Sequence, residues 1–156
     1  MAEENIAAEE VVEEEIEETV YLRTHELINH SLSGDIEKLE KGYAKIHLIT
    51  NEDMRADEVG LVHGGFIFSA ADFAAMAAVN EPNVVLSGCE CQFLAPVRVG
   101  DEVTFEAKVR HKEGRKRNVV VTAYAYDIKV FESEFKTVVT ERHVLKLSLL
   151  NEEDEA

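Results

Sequence analysis

The sequence predicts an α+β domain in which a curved, mainly antiparallel sheet wraps one long helix. Three observations predict it. Residues 64 to 79 contain no Lys, Arg or Glu, and Asp72 is their only ionisable side chain. A surface helix shows a polar face, so a helix that is apolar all round must be enclosed. Four stretches of strand character follow, joined by short turns, and another precedes. A sheet that curls round the helix covers such a segment.

The elements follow in order. Residues 1 to 18 carry nine Glu and no basic residue. Like-charge blocks are usually solvated, so the segment reads as an acidic tail. It is alternatively an interaction arm, with Ile6, Val11, Val12 and Ile16 along one stripe. Residues 19 to 33 predict a short helix, with Val20, Leu27 and Ile28 at helical spacing and Gly34 as the stop. The main domain runs from 34 to 147. Within it, Ala44, Ile46 and Leu48 alternate with Tyr43, Lys45 and His47 as in a half-buried strand. The paired glycines Gly64-Gly65 open the enclosed helix, and Asn80-Glu81-Pro82 stops it. Strands are predicted over 83–94, 101–111, 118–127 and 130–140, with a hairpin connection at Lys112-Glu113-Gly114-Arg115. The chain finishes in a second acidic tail, residues 148 to 156.

Composition excludes several classes. At 156 residues and 46% apolar content, the chain makes one domain with one core. At a net charge of −16 nucleic acid is not an expected partner, because neutralising its phosphates needs a concentrated basic face. Cys89 and Cys91 sit two apart on one strand face, too few for structural zinc and strained as a disulfide. They read as thiols of a reducing cytoplasm. No apolar run reaches about 18 residues, so neither an export signal nor a membrane span is expected. His25, His30, His47, His111 and His143 show no metal-ligand spacing, and no metal is expected.

The segment Gly60-Leu61-Val62-His63-Gly64-Gly65-Phe66-Ile67-Phe68, with Asp72 nine residues after the histidine, carries a further signal. Phe93-Leu94-Ala95-Pro96-Val97 and Val99-Gly100-Asp101 accompany it. Over roughly residues 35 to 145 the chain resembles the hotdog fold, and within it the PaaI-like (phenylacetyl-CoA) branch of acyl-CoA thioesterases. The resemblance implies a homodimer or dimer of dimers with acyl sites at the subunit interface. Coenzyme A would then enter only as part of the substrate, with no separate cofactor. It also implies that Asp72 is the general base or nucleophile, beside His63, acting on a thioester polarised by Gly64, which in similar sites is that of the other chain. At Asp57, six residues before the histidine, the branch often carries an amide, and an extra carboxylate there is an alternative base.

The residue types suit this chemistry. A thioester oxyanion is held by donors placed in advance. The first amides of a helix lack intrahelical acceptors and lie at its positive end. Gly64 and Gly65 have no β-carbon to obstruct approach to them. Helical spacing sets Phe68, Ser69, Ala75 and Met76 around Asp72 as candidate walls of an acyl pocket. Each also has a plainer reading as core packing or local hydrogen bonding.

Lys108, Arg110, Lys112, Arg115, Lys116 and Arg117 form a basic island in an acidic chain. Three readings stay open for it: a solvated hairpin tip, a landing site on Arg115, Lys116 and Arg117 for the phosphates of coenzyme A, or a dock for the acidic N-terminal arm. For the whole protein, the leading expectation is an acyl-CoA thioesterase. The alternative is a non-catalytic hotdog protein that binds acyl-CoA or acyl carrier protein and reports on it. Hotdog dehydratase signatures are absent.

Overall fold

The computed structural model describes residues 19–147. The acidic segments 1–18 and 148–156 lie outside them. Six strands form one antiparallel sheet in the order β1-β2-β4-β5-β6-β3. The strands are β1 (Asp35–Glu40), β2 (Tyr43–Ile49), β3 (Val84–Phe93), β4 (Glu102–Glu113), β5 (Lys116–Ala125) and β6 (Ile128–Val139). The long helix α2 (Gly64–Val79) packs against the concave side, and a single turn, α1 (His30–Ser33), packs on α2.

Alternation builds the sheet. In β4, Val103, Phe105 and Ala107 are buried, and their register partners on β2 and β5 are also apolar: Leu48, Ile46, Ala44, Ala123 and Val121. These side chains meet Ala70, Ala71, Phe73, Ala74, Met76 and Ala77 of the helix in one core. Small alanines let the helix sit close to the sheet, and Phe73, Phe105, Phe131 and Phe135 fill the remaining volume. The β4–β5 hairpin turns at Gly114-Arg115, with Gly114 at φ +57°. The β5–β6 hairpin turns at Tyr126-Asp127, both left-handed at +49° and +63°, as a two-residue type I′ turn requires.

Two sequence expectations change. Of the helix expected over 19–33, only His30–Ser33 is helical. Asn80, left-handed at the end of α2, fastens the irregular stretch instead. Its Nδ2 donates to the Tyr21 carbonyl (2.8 Å), and its Oδ1 accepts from the Arg23 amide (2.7 Å). His25 then takes φ +53°, and Leu27 points into solvent rather than into an apolar stripe. The second change is an added strand, β1. Its apolar residues Ile36 and Leu39 are three apart, which is not strand spacing. A bulge between Ile36 and Lys38 restores them to one face, opposite Ile46 and Ala44.

Helix α2 is not fully enclosed by its own chain. Gly65, Phe68, Asp72 and Val79, spaced by three, four and seven, form a stripe that stays partly exposed. On the same side β3 is a sheet edge with no strand beyond it among the described residues. No described helix is long and apolar enough to cross a membrane.

Candidate active site

The loop before α2 is built by two residues. Asp57 turns the chain back on itself, one carboxylate oxygen accepting from the amides of Gly60 (2.9 Å) and Leu61 (3.1 Å). These bonds, Leu61 foremost, hold its carboxyl below the usual range. Arg55 closes the other side. It grips both carboxylate oxygens of Glu52 at 2.7 and 3.0 Å and donates to the carbonyls of Asp57 and Glu58. The loop is tied to the stretch after β3 by bonds from Val62 N to Val97 O (2.9 Å) and Val99 N to Gly60 O (2.8 Å). Buried Thr50 fixes the Val99-Gly100-Asp101 turn, donating to the carbonyl of Asp101 and accepting from the Gly100 amide.

The result is a rigid entry to α2. His63 sits at the N-cap position with its amide bonded to the Met54 carbonyl, and no side chain caps the helix. The Gly64 and Gly65 amides therefore face outward without an intrahelical acceptor. A β-carbon on Gly65 would come within 3.2 Å of the His63 ring, so that glycine makes room for the histidine. The ring itself is exposed and lies edge-on to Phe66. Beside Gly64 opens an apolar cleft of about 320 Å³, walled by Leu61, Ile67, Phe93, Leu94, Val97 and Val130.

Asp72 lies two turns further along, half-buried on the open stripe. The buried hydroxyls of Thr24, Ser33, Thr50 and Thr137 all have partners. Among the described residues, Asp72 Oδ1 is the buried side-chain nitrogen or oxygen atom left with none. Burial pushes its carboxyl up to about 6. Its neighbour across the gap is Cys89, which with Cys91 faces the helix side of β3 opposite Phe135 and Ser133. Burial, then the adjacent Cys91 and the Asp72 carboxylate, push the Cys89 thiol up to about 12, where it stays protonated.

The other expected site residues are dispersed. Phe68 is half-buried, its ring 5.5 Å from Phe135, one turn before Asp72. Ser69 shares a 2.8 Å hydrogen bond with Ser33 and so binds α1 to α2. Met76 is fully buried in the core. Arg115, Lys116 and Arg117 stand at the far end of α2 from Gly64, with Arg115 paired to Glu141 at 2.9 Å. Among the described residues, no group of three or more His, Cys, Asp or Glu is placed to hold a metal ion. Sequence reasoning missed Arg55 and Thr50 as organisers of the entry loop, and Phe93 as its wall. The Asp-x-x-Gly spacing of residues 57 to 60 was the available signal for the turn.

The profile of the thioesterase superfamily matches residues 59–132. The chain is 55% identical over 117 residues to the methylthioribose-1-phosphate isomerase of Aquifex aeolicus, which is 75% of this chain but 26% of that protein. It is 34% identical to the acyl-coenzyme A thioesterase PaaI of Escherichia coli, across 69% of this chain and 73% of that one. It is 26% identical to the transcription factor FapR of Caldanaerobacter subterraneus, across 84% of this chain and 66% of that one. The chain thus spans about a quarter of the Aquifex relative's length and just under two thirds of FapR's. Among solved structures, an uncharacterised protein of Pyrococcus horikoshii is similar at 46% identity and a TM-score of 0.80, covering 81% of this chain and 98% of that one. The wrapped helix, the profile match and the identity to PaaI over most of its length agree: this chain belongs to the thioesterase superfamily, and its fold is the hotdog fold.

Proposed function

We propose that this protein hydrolyses acyl-CoA thioesters, with Asp72 as general base or nucleophile and the Gly64 and Gly65 amides as oxyanion donors. The observation that carries the proposal is the unpartnered Asp72 Oδ1. An orphaned buried carboxylate oxygen is costly, and the other buried polar side chains avoid that cost. A water or substrate at Oδ1 would remove it. A carboxyl near 6 is also poised for proton transfer close to neutral pH. His63 and Phe68 flank this chemistry in the proposal, and Asp57 shapes the loop. Coenzyme A enters as part of the substrate, and the reaction calls for no further cofactor.

Gly64 and Asp72 are separated by eight residues of one helix, about 12 Å along its axis. One thioester carbon does not reach both in a single protomer. In the proposal a second copy packs across the β3 edge and the open stripe of α2, so that one copy's amides face the other's carboxylate. Such a homodimer would also cover the exposed apolar side chain of Phe93. The isomerase name of the Aquifex relative gives no ground for that activity here, since the aligned part is about a quarter of that protein.

A second reading, binding without turnover, is favoured by the similarity to FapR and by a carboxylate at Asp57. A panel of acyl-CoAs separates the two. Steady thiol release proportional to protein supports hydrolysis. A raised Tm with the thioester intact over hours supports the binder instead.

A further inference from the structure

At the end of α2 away from Gly64, a half-open cleft of about 600 Å³ lies between residues 19–23, the β1–β2 turn and the β4–β5 hairpin. Its size falls in the range of small-molecule pockets, about 300–1,000 Å³. Arg23, Lys41, Lys112 and Arg117 stand on its walls, with Val79 and Val109 among them. The opposing acids are Glu40 and Glu81, and Glu40 is already paired with Lys38 at 3.2 Å. Among the described residues none of the four cations has an ion pair.

That is an unusual expense in a chain of net charge −16. Lys112 and Arg117 are direct cross-strand partners, an arrangement of like charges that destabilises a sheet. The site is also braced. Arg117 Nη1 donates to the carbonyls of Gly114 (2.7 Å) and Lys116 (3.0 Å), which orients the guanidinium. Asn80 fixes the backbone at Arg23. The negative end of the α2 dipole attracts cations within its last turn. It does not account for four of them gathered from three separate segments.

We propose that this cleft binds a phosphorylated small molecule with an apolar body. Lysine supplies point charges and arginine a planar fork for phosphate, while Val79 and Val109 receive the apolar part. Two sources carry that chemistry: the nucleotide end of a coenzyme A thioester, or a separate phosphorylated amphiphile.

Hexyl phosphate is the probe, titrated calorimetrically into the full chain at low salt. It is expected to bind saturably at one equivalent per chain and to weaken as salt rises, whereas hexanol does not bind measurably. The double variant Lys41→Ala/Lys112→Ala should lose at least about tenfold in affinity, which is about 1.4 kcal/mol. Arg142→Ala, which removes a charge outside the cleft, should bind as wild type. Displacement by coenzyme A identifies the nucleotide end as the source, and simultaneous binding identifies a separate ligand. Circular dichroism establishes that the double variant is folded, and Arg23→Ala is the second variant if it is not. Absence of saturable binding to wild type, or equal affinity in wild type and folded variant, overturns the proposal. None of these readouts depends on thioester hydrolysis, so the two proposals fail separately.

Discussion

A β-carbon built on Gly64 would meet the Phe93 ring at 3.5 Å, an ordinary van der Waals contact. Packing alone therefore does not demand glycine at the helix entry. In the proposed reaction, glycine there keeps open the approach to its own amide from the adjoining cleft.

This separates two substitutions. Gly64→Ala should fold with stability within about 1 kcal/mol of wild type, since the position suits a helix start. Gly64→Val adds branched bulk against Phe93 and across the cleft, so acyl-CoA affinity and turnover should both fall while the far-UV spectrum persists. Unchanged affinity and turnover in folded Gly64→Val places the thioester elsewhere.

Asp72 makes stability depend on pH in a defined direction. Its carboxyl titrates near 6 in the folded chain against 3.8 for an ordinary aspartate. The folded state therefore holds a proton that the unfolded state has released. The stability this contributes is fully present below about pH 3.8, declines as pH rises to about 6, and is flat above. Asp72→Asn removes the dependence. Measured by urea denaturation, its stability gain over wild type should grow from near zero at pH 4 to about 1–3 kcal/mol at pH 7. A gain that is the same at every pH contradicts the assignment.

Asn80 joins the end of α2 to the segment that precedes α1, through two side-chain hydrogen bonds and a left-handed backbone at φ +52°. Asn80→Ala loses both bonds and adds strain, at a cost of about 1–3 kcal/mol. Hydrogen exchange should accelerate first at Arg23, whose amide the Asn80 side chain accepts. Protection at Arg23 equal to wild type would show that other contacts hold the segment.

The wrapped-helix architecture was legible because α2 has no polar face and because the buried stretches Val103 to Ala107 of β4 and Val119 to Ala125 of β5 keep the two-residue period. Two parts of the chain were not legible in this way. The bulge at Ile36/Lys38 concealed β1, and the long-range clamp from Asn80 overrode the helical spacing of Val20, Leu27 and Ile28. For the site, Asp72 stood out as a lone charge in an apolar run, and its orphaned oxygen follows from that same run. The tertiary environments of Ser69 and Met76 were not legible. Helical spacing places both beside Asp72, but whether a neighbour is a wall or a core filler depends on what packs there, Ser33 in one case and the sheet in the other.

Asp72 also sets the pH profile of the proposed reaction. As a base it must be ionised, so kcat/KM should climb through about pH 6 and level off above it. A profile already flat between pH 4.5 and 7.5 points to a base that is ionised throughout that range, such as Asp57, whose carboxyl the Leu61 and Gly60 amides hold below the usual range.

The central claim is that the buried, unpartnered carboxylate of Asp72 drives thioester cleavage. Its most direct test is the initial rate of thiol release from an acyl-CoA that wild type turns over, compared with purified, folded Asp72→Asn. The account predicts a loss of about 10²–10⁴-fold with acyl-CoA binding retained. A rate in the variant within about threefold of wild type, against that range, contradicts it.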